Sequence, residues 1–456
     1  MDRQRSTRIA ALVAGTSTVA LLAGIAWLVL GGRHPGPRVR RDYNVLLIVV
    51  DTLRADHLGA WGYERDTSPN LDALAASGIR LDQATSQAPW TTPSIGSLMT
   101  SQYPATLGIT RERSALPESA TTLAELLQAE GWATAAAVSH SFCGAEWRFD
   151  QGFDTFDESN VLGPTGISSP GITELALGWL DIQRREPFFL WLHYFDPHFS
   201  YLLHRDHDPD PGSDYDGGVV SGAPIGDLNQ LRPTMDRADL DQLARLYDSE
   251  IAFTDAQIGR VLDRLEALGL ADDTVVIFTA DHGEEFLDHR LLGHGKTLYQ
   301  ELVHVPAIVR CPHWEPGVIT APVGNVDLLP TLLECLGLPE PEGLVGTSLG
   351  PGGGPPSHPV LSQVDKRRHL TSLRDGDLKL IANRQRDPPR LELYDLSVDP
   401  TERNDLAAEG GQRLSVLTEQ LLRLERLSRE RALPPAVLHL EDDQRRLLRT
   451  LGYIDD

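Results

Sequence analysis

The sequence predicts an α/β fold built on a mostly parallel β-sheet, for two reasons. Short apolar runs that stop abruptly at polar residues recur along the chain, and helical segments lie between them. A continuous apolar run indicates a strand buried on both faces, and strands that alternate with helices form parallel sheets. Because ligands of such sheets bind beyond the carboxyl ends of the strands, we expect the polar residues after these runs to surround one rim.

Four apolar runs carry this pattern. Their shared feature is a following side chain that can bind a ligand or a metal: 44–50 is followed by Asp51, 132–138 by His140, 188–192 by His193, and 274–279 by Asp281 and His282. Between the runs, Ser68, Pro69 and Gly78 supply the cap, the first residue and the stop of a short helix. A longer helix is predicted from about 238 to 268.

The N-terminal segment 9–30 carries no charged side chain. As a helix it would rise about 33 Å, enough to cross the hydrocarbon core of a bilayer. This stretch is longer than the ~7 to 15 apolar residues of a secretory signal, which favours an uncleaved membrane anchor over a cleaved signal peptide. Arginines lie on both sides of the segment, so charge leaves its orientation open.

The C-terminal part of the chain has a different pattern. After a Gly- and Pro-rich loop near 350, short strand-like runs separated by turn residues predict a small antiparallel sheet. Helices are predicted over 414–427 and 438–453. We therefore divide the chain into an N-terminal tail (1–8), a transmembrane anchor (9–30), a linker (31–42), a large α/β domain (43–349), a C-terminal subdomain (350–432) and a terminal helical tail (433–456).

Composition narrows the classes of function. The 41 Lys and Arg residues against 65 Asp and Glu residues give a net charge of −24. So acidic a chain repels phosphate backbones, and we predict no nucleic-acid partner. The three cysteines, Cys143, Cys311 and Cys335, share no C-x-x-C spacing, so we expect neither a disulfide framework nor a cysteine-based zinc site.

One local cluster suggests metal chemistry. Asp281 and His282 place a carboxylate beside an imidazole at the end of a predicted strand, which suits a divalent ion. His294 and Lys296 follow shortly afterwards, and His198 comes soon after another predicted strand. Taken separately, such groups more often belong to a turn, a cap or an exposed surface position.

Seven blocks of sequence carry a more specific signal. They read VDTLRAD (50–56), APWTTPS (88–94), HYFDPH (193–198), ADHGEE (280–285), GHGKTLY (293–299), NVDLLPT (325–331) and ELYDL (392–396). With these blocks in this order, the chain from about Asn44 to about Leu406 resembles the sulfatase family of the alkaline-phosphatase superfamily. The resemblance implies an alkaline-phosphatase-like fold whose mostly parallel sheet is flanked by helices, with a small antiparallel-sheet subdomain at the C-terminus.

The resemblance also implies a metal site. One divalent ion would be held by Asp51, Asp281 and His282, with Thr91 as nucleophile and further ligand. An ion that bridges a hydroxyl and an ester oxygen lowers the pKa of the nucleophile and neutralises charge in the transition state. His282 stands where many sulfatases carry Asn, so manganese or zinc is favoured, and calcium or magnesium stays open.

Other positions of the motif are expected around the ester. By the same resemblance, Lys296 and His198 would act in catalysis, stabilising charge or protonating the leaving group. The predicted substrate contacts are His140, His294 and Ser94.

Departures from the family pattern bear on the reaction. Sulfatases make formylglycine from the Cys or Ser of a Cys/Ser-x-Pro-x-Arg pattern, whereas residues 91–95 of this chain read Thr-Thr-Pro-Ser-Ile. We therefore predict no formylglycine. Thr52 replaces the second carboxylate of the usual Asp-Asp pair. An unmodified threonine nucleophile is similar to that of the phosphotransferase and phosphodiesterase branches of the superfamily, which favours phosphate esters.

Three functions follow from these observations. The first is a membrane-anchored, metal-dependent hydrolase of sulfate or phosphate esters, with Thr91 favouring phosphoryl chemistry. The second is a phospho-alcohol transferase that modifies a glycan or a lipid, and the third is a catalytically degenerate protein that binds anionic glycans. Because the family is commonly exported, we expect a single-pass membrane protein whose catalytic domain lies outside the cytoplasm, in the periplasm or the extracellular space.

Overall fold

A computed structural model of the 456-residue chain describes residues 39–161, 166–183, 187–351, 358–366 and 368–438. The strands are β1 (Asn44–Val50), β2 (Ile79–Leu81), β3 (Ala84–Thr85), β4 (Ser114–Ala115), β5 (Ala133–Val138), β6 (Thr155–Asp157), β7 (Phe188–Tyr194), β8 (Thr274–Ala280), β9 (Glu285–Phe286), β10 (Leu292–Gly293), β11 (Ala307–Arg310), β12 (Gly317–Ile319), β13 (Val323–Gly324), β14 (Val360–Asp365), β15 (His369–Asp375), β16 (Leu378–Asn383), β17 (Arg390–Asp395) and β18 (Ala436–Val437).

The α-helices of the described residues connect and flank these strands. They are α1 (Pro69–Ser77), α2 (Thr91–Thr100), α3 (Pro104–Leu107), α4 (Leu123–Ala129), α5 (Ser169–Ile182), α6 (Ile225–Leu231), α7 (Arg237–Ala267), α8 (Gln300–Val303), α9 (Leu328–Leu336) and α10 (Gly411–Glu430). Helix α7 matches the long helix expected near 238–268 and starts at a capping box, in which Asp236 and Asp239 bond to each other's backbone N–H.

The central sheet has eight strands in the order β12-β2-β11-β8-β1-β7-β5-β6. Strand β1 runs parallel to both β7 and β8, and β5 runs parallel to β6 and β7, whereas β11 is antiparallel to its neighbours. Every residue of β1, β7 and β8 is buried, as their continuous apolar sequence predicts. The prediction of a mostly parallel α/β sheet is confirmed.

Two local details differ from expectation. Strand β7 continues through Tyr194, so His193 lies inside the strand rather than after it. Helix α1 does begin at Pro69, but Ser68 does not cap it. The Ser68 hydroxyl instead donates to Asp72 Oδ1 and accepts the N–H of Gly59, so it holds the preceding turn.

The predicted C-terminal antiparallel sheet is present as β14-β15-β16-β17. Each of its strands contributes one buried leucine to a core that also contains residues of α10: Leu361, Leu373, Leu380, Leu393, Leu417 and Leu421. Burying a leucine side chain stabilises a fold by about 1.5–3 kcal/mol, so this core fixes α10 against the sheet. Tyr103 belongs to the same core, which joins this sheet to the preceding part of the chain.

Cys311 and Cys335 form a disulfide between the end of β11 and helix α9, with their Cα atoms 6.3 Å apart. The expectation that the cysteines form no disulfide is therefore wrong for this pair. A disulfide requires proximity in the folded chain, and a sequence separation of 24 residues gave no sign of it. Cys143 is a free, buried thiol.

Several predictions concern parts of the chain beyond this description. The tail 1–8 and the predicted anchor 9–30 lie outside the described residues, as does most of the terminal helix predicted over 438–453. Among the residues that are described, no helix is both long and apolar enough to cross a membrane. The domain boundaries at 349 and 432 remain predictions.

Candidate active site

Two buried carboxylates meet at the carboxyl ends of neighbouring strands. Val50 of β1 is paired with Ala280 of β8, so the residues that follow, Asp51 and Asp281, lie side by side. Both aspartates are fully buried. The parallel register thus produces the expected juxtaposition of acidic groups at the rim of the sheet.

His282 completes a set of three possible metal ligands. Its Nε2 atom lies 3.5 Å from Asp51 Oδ1 and 3.4 Å from Asp281 Oδ2. Its Nδ1 atom lies 2.9 Å from the carbonyl oxygen of Gly283 and must donate to it, which leaves the lone pair of Nε2 facing the carboxylates. Ligand atoms of the three residues all lie within 4.8 Å of one another.

The unsatisfied atoms of this set fit a bound cation. Both carboxylate oxygens of Asp51, Oδ2 of Asp281 and Nε2 of His282 are buried without a hydrogen-bond partner. Burying such groups unpaired costs several kcal/mol, and buried charges in proteins are paired or coordinate metals. Two carboxylates and one imidazole are a donor set that suits a divalent ion.

The pKa values of the two aspartates reflect the cost of burying their charges. Burial raises the pKa of Asp51 well above its usual range, and the neighbouring charges of Asp281 and Glu284 raise it further. Burial likewise raises the pKa of Asp281, while hydrogen bonds from the backbone of Thr52 and His282 oppose the rise. A cation bound between the carboxylates would favour their charged forms and would therefore lower both pKa values.

Thr52 shapes the end of β1. Its φ angle is 54°, a left-handed conformation that is rare and strained for a β-branched residue. In this conformation its N–H donates to Asp281 Oδ1 at 3.2 Å, and its carbonyl oxygen accepts the hydroxyl of Tyr247 at 2.6 Å. The residue that replaces a family carboxylate therefore positions a remaining one through its backbone.

Thr91 is the first residue of α2 and is fully buried. Its hydroxyl makes no hydrogen bond of normal geometry. A weaker side-chain interaction of this hydroxyl with Asp281 opposes the rise in the pKa of that carboxyl group, which places the two groups side by side. The residue in the capping position of α2 is Trp90, and no side chain caps the helix, so Thr91 does not serve as the helix cap.

Ser94, one turn further along α2, has a different environment. Its hydroxyl donates to the carbonyl oxygen of Asp281 at 2.5 Å and lies 2.9 Å from the hydroxyl of Ser86. Because both contacts are within the protein, the predicted substrate contact by Ser94 has no support in this geometry. We assign Ser94 to holding α2 against the end of β8.

Four buried histidines surround the carboxylates. His140 Nε2 lies 3.9 Å, and His193 Nε2 4.0 Å, from Asp51 Oδ2. His140 Nδ1 accepts the N–H of Phe142 at 2.9 Å, so a neutral His140 carries its proton on Nε2 and presents a donor. Burial lowers the pKa of His193 to about 3, and burial together with the other histidines lowers that of His140.

The other two histidines have the opposite tautomer, with the proton of the neutral ring on Nδ1. His198 Nδ1 lies 2.9 Å from the carbonyl oxygen of Phe199, and His294 Nδ1 lies 3.1 Å from Oε1 of Glu284. Donation from Nδ1 leaves Nε2 of each ring as the acceptor. The two rings are neighbours, with centroids 4.9 Å apart, and burial lowers the pKa of both.

Two lysines supply positive charge to this cluster. Lys296 Nζ donates to the carbonyl oxygen of Leu292 at 2.8 Å. Burial raises the pKa of Glu284 to about 8 and lowers that of His294, and the charge of Lys296 opposes the first shift and adds to the second. Lys366, which follows β14, also lowers the pKa of His294, and its ammonium lies 4.9 Å from the ring centroid of Trp90. Lys366 thus reaches this site from the C-terminal sheet.

The family model that matches this chain is the sulfatase model, which covers residues 43–338. The chain belongs to the sulfatase family. The predicted family is therefore confirmed, and with it the prediction of an enzyme of this hydrolase family.

Named relatives of this sulfatase-family chain act on sulfate esters. It is 29% identical to the ulvan-active sulfatase of Formosa agariphila over 67% of its own length and 64% of the relative's. It is 28% identical to arylsulfatase A of Homo sapiens over 81% of its length and 84% of the relative's. The chain therefore spans slightly less than two thirds of the ulvan-active sulfatase.

Two solved structures show that the alkaline-phosphatase-like fold is shared. One is a protein in complex with its substrate D-glucosamine-2-N,6-O-disulfate, with a TM-score of 0.73 at 21% identity over 86% of this chain and 99% of that one. The other is the phosphonate monoester hydrolase of Agrobacterium radiobacter, with a TM-score of 0.69 at 20% identity over 88% and 99% of the two chains.

Two residues of this sulfatase site were not assigned a role from the sequence. Glu284 stands within one of the seven blocks, but nothing in the sequence shows that it orients His294. Lys366 stands outside every block, because its approach depends on how the C-terminal sheet packs.

Proposed function

We propose that this sulfatase-family chain hydrolyses phosphate esters, using a divalent metal ion and Thr91 as an unmodified nucleophile. The observation that carries the proposal is the Thr91 hydroxyl, which is buried beside Asp281 and makes no hydrogen bond of normal geometry. Leaving a buried hydroxyl unpaired costs about 1–3 kcal/mol, which a ligand bound at this hydroxyl would offset. The neighbouring Thr92, in contrast, uses its hydroxyl within the protein, where it donates to the carbonyl oxygen of Phe142 at 3.0 Å.

The metal would be held by Asp51, Asp281 and His282, with Thr91 as a further ligand. The imidazole favours manganese or zinc over calcium or magnesium. When bound, such an ion lowers the pKa of a coordinated hydroxyl and neutralises charge on the transferred group.

Other residues of the chain would bind the anionic group, transfer protons and stabilise negative charge. Thr91 stands at the start of α2, where the N–H groups of the helix favour an anion. His198 and His294 accept and return protons at Nε2, and Glu284 holds the ring of His294 in the required orientation. His140 donates from Nε2 to an oxygen of the transferred group, and Lys296 contributes positive charge.

The chemistry of the nucleophile favours phosphate over sulfate. A phosphothreonine intermediate is resolved by attack of water, or of an alcohol acceptor, at phosphorus. A sulfated threonine lacks the elimination route that a formylglycine hydrate provides, and residues 91–95 contain neither a formylglycine precursor nor the arginine of the modification pattern. The phosphonate monoester hydrolase among the structural neighbours supports the use of this fold for phosphorus esters.

The substrate is an anionic ester, and the named substrate of a structural neighbour, D-glucosamine-2-N,6-O-disulfate, supports an ester carried on a glycan. A lipid-borne phosphate ester fits the same chemistry. A degenerate protein that only binds anionic glycans would have no need of the buried set of Asp51, Asp281 and His282, and we therefore favour an active enzyme.

We further propose that the catalytic domain lies outside the cytoplasm, anchored by 9–30. The Cys311–Cys335 disulfide supports an oxidising compartment, where such bonds persist. The test is a pair of fusions at the C-terminus, one with a reporter that is active only after export and one with a reporter active only in the cytoplasm. Activity of the second fusion alone would overturn the proposal.

The proposed reaction is tested with matched aryl esters. Full-length enzyme loaded with manganese or zinc is assayed on 4-nitrophenyl phosphate and 4-nitrophenyl sulfate, and Thr91→Ala and Thr91→Ser are compared with the wild type. We expect faster turnover of the phosphate and a loss of at least about 10³-fold in Thr91→Ala, with part of the activity kept in Thr91→Ser. Preference for the sulfate, or an Ala variant that keeps most of its activity, would contradict the proposal.

A further inference from the structure

Lys366 is held at the site by the packing of the C-terminal sheet. Strand β14 is joined to the segment before Thr91 by two hydrogen bonds: Ser362 Oγ donates to the carbonyl oxygen of Ser86 at 2.6 Å, and the N–H of Gln363 donates to the carbonyl oxygen of Gln87 at 2.8 Å. These bonds fix the register of the strand relative to that segment. Lys366, immediately after the strand, is thereby carried to Trp90.

The side chain of Lys366 is enclosed on several sides. It is only 9% exposed, and its ammonium lies over the ring of Trp90, the residue directly before Thr91. Gly295 forms another wall: a Cβ atom at this position would lie 3.9 Å from Lys366 Nζ and 3.7 Å from Trp90 Cβ. Lys366 therefore lies against the turn that carries His294 and Lys296.

Lys366 has an acidic neighbour in Glu112. Glu112 Oε1 lies 3.6 Å from Nζ, beyond the 2.7–3.2 Å of a normal hydrogen bond. Such a cation, largely removed from water, interacts strongly with an anion that enters beside it.

We propose that Lys366 binds a non-bridging oxygen of the ester's phosphoryl group and makes the enzyme selective for dianionic phosphate monoesters over monoanionic esters. The inference rests on the proposed function, because it assumes that the ester is bound at Thr91. A phosphate monoester carries two negative charges above its second pKa of about 6, whereas a sulfate monoester of the same shape carries one. The ammonium of Lys366 therefore stabilises the phosphate ester more than the sulfate ester.

The test measures binding without turnover. Phenyl phosphate and phenyl sulfate are titrated calorimetrically into metal-loaded, full-length Thr91→Ala enzyme at about pH 8, with Lys366 intact, replaced by Ala or replaced by Arg. The control variant is Arg368→Ala, which removes an exposed positive charge from the same hairpin. Melting temperature and metal content are recorded for each protein.

We expect Lys366→Ala to weaken binding of phenyl phosphate by about 10- to 100-fold, the effect of losing a charged hydrogen bond. Binding of phenyl sulfate is expected to weaken by less than about 3-fold, Lys366→Arg to keep most of the phosphate affinity, and Arg368→Ala to leave both ligands within about 2-fold. Equal losses for the two ligands, or no loss for either, would overturn the selectivity proposed for Lys366.

Failure of the proposed reaction has a separate signature. It is seen as preference of the wild-type enzyme for 4-nitrophenyl sulfate, or as retained activity in Thr91→Ala, neither of which depends on Lys366. Selective loss of phenyl phosphate binding in Lys366→Ala would still support the assigned contact in that case. A fold defect is recognised by a lowered melting temperature in Lys366→Ala that Lys366→Arg does not share.

Discussion

The backbone N–H of Thr52 donates a hydrogen bond to Oδ1 of Asp281 at 3.2 Å. This bond joins the carboxyl ends of β1 and β8 and leaves Oδ2 of Asp281 without a partner, 3.4 Å from His282 Nε2. The residue that stands in place of a second family carboxylate thus orients one proposed metal ligand through its backbone while its side chain adds no negative charge. We expect the metal preference of the proposed site to depend on this arrangement.

Restoring the carboxylate at Thr52 should change the metal preference. Thr52→Asp adds an oxygen ligand and a negative charge, both of which calcium requires more than zinc does. We expect affinity for calcium to rise by at least about 10-fold relative to zinc, measured by competition titration of the metal-free protein. Thr52→Asn, which adds an oxygen of similar shape without the charge, is the control, and an unchanged ratio in Thr52→Asp would show that residue 52 does not face the ion.

Loss of a metal carboxylate should abolish metal-dependent stability. Asp281→Asn is expected to bind less than about one tenth of the wild-type metal and to lose the shift in melting temperature that a chelator causes, because ligands that bind the native state stabilise it by mass action. Asp255→Asn is the matched control: Asp255 is a buried aspartate bonded to the N–H groups of Asn70 and Leu71, far along the chain from the proposed ligands. If chelation destabilises Asp281→Asn as much as the wild type, this residue is not a ligand.

His140 should act as a hydrogen-bond donor rather than a metal ligand. Since Nδ1 accepts the N–H of Phe142, the proton of the neutral ring is on Nε2. We expect His140→Gln to keep its metal and to lose about 10²-fold in kcat, the typical cost of one donor to a developing charge. His282→Gln, in contrast, should lose the metal itself. Metal content measured by atomic spectroscopy beside kcat separates the two roles, and loss of metal from His140→Gln would contradict the assignment.

Asp255 should make the unfolding free energy depend on pH. Burial raises its pKa to about 6 in the folded protein, against about 3.9 in an unfolded chain. A group whose pKa is higher in the folded state stabilises it at low pH, and this contribution is lost as pH rises from about 4 to 6. Urea denaturation measures the unfolding free energy of the wild type and of Asp255→Asn at each pH. Between pH 4 and 6 we expect this free energy to fall in both proteins, and to fall by up to about 3 kcal/mol more in the wild type. Parallel curves for the two proteins would contradict the raised pKa.

Much of the site could be predicted because it depends on strand ends. Asp51, Asp281 and His282 follow continuous apolar runs, and parallel pairing brings such positions together whatever the loops do. The tautomer of each histidine could not be predicted, because it depends on a single local contact such as that of His294 with Glu284.

Contacts between distant segments were equally beyond prediction. Lys366 reaches Trp90 because two hydrogen bonds and a shared apolar cluster hold β14 against the segment before Thr91. Cys311 meets Cys335 because β11 and α9 lie close in space. The hydrogen bond from the Ser94 hydroxyl to the carbonyl oxygen of Asp281 was likewise not evident from the sequence, and the predicted substrate contact by Ser94 stays a prediction.

The covalent role of Thr91 is the central claim, and trapping the intermediate tests it most directly. Metal-loaded enzyme is mixed with excess 4-nitrophenyl phosphate, stopped with acid within the first turnovers, digested and sequenced by mass spectrometry. The account predicts one phosphoryl group on the peptide that contains Thr91, located on that residue, and none on the same peptide from Thr91→Ala. An enzyme that turns over the ester while Thr91 stays unmodified at every quench time, or that carries the phosphoryl group on another residue, would contradict it.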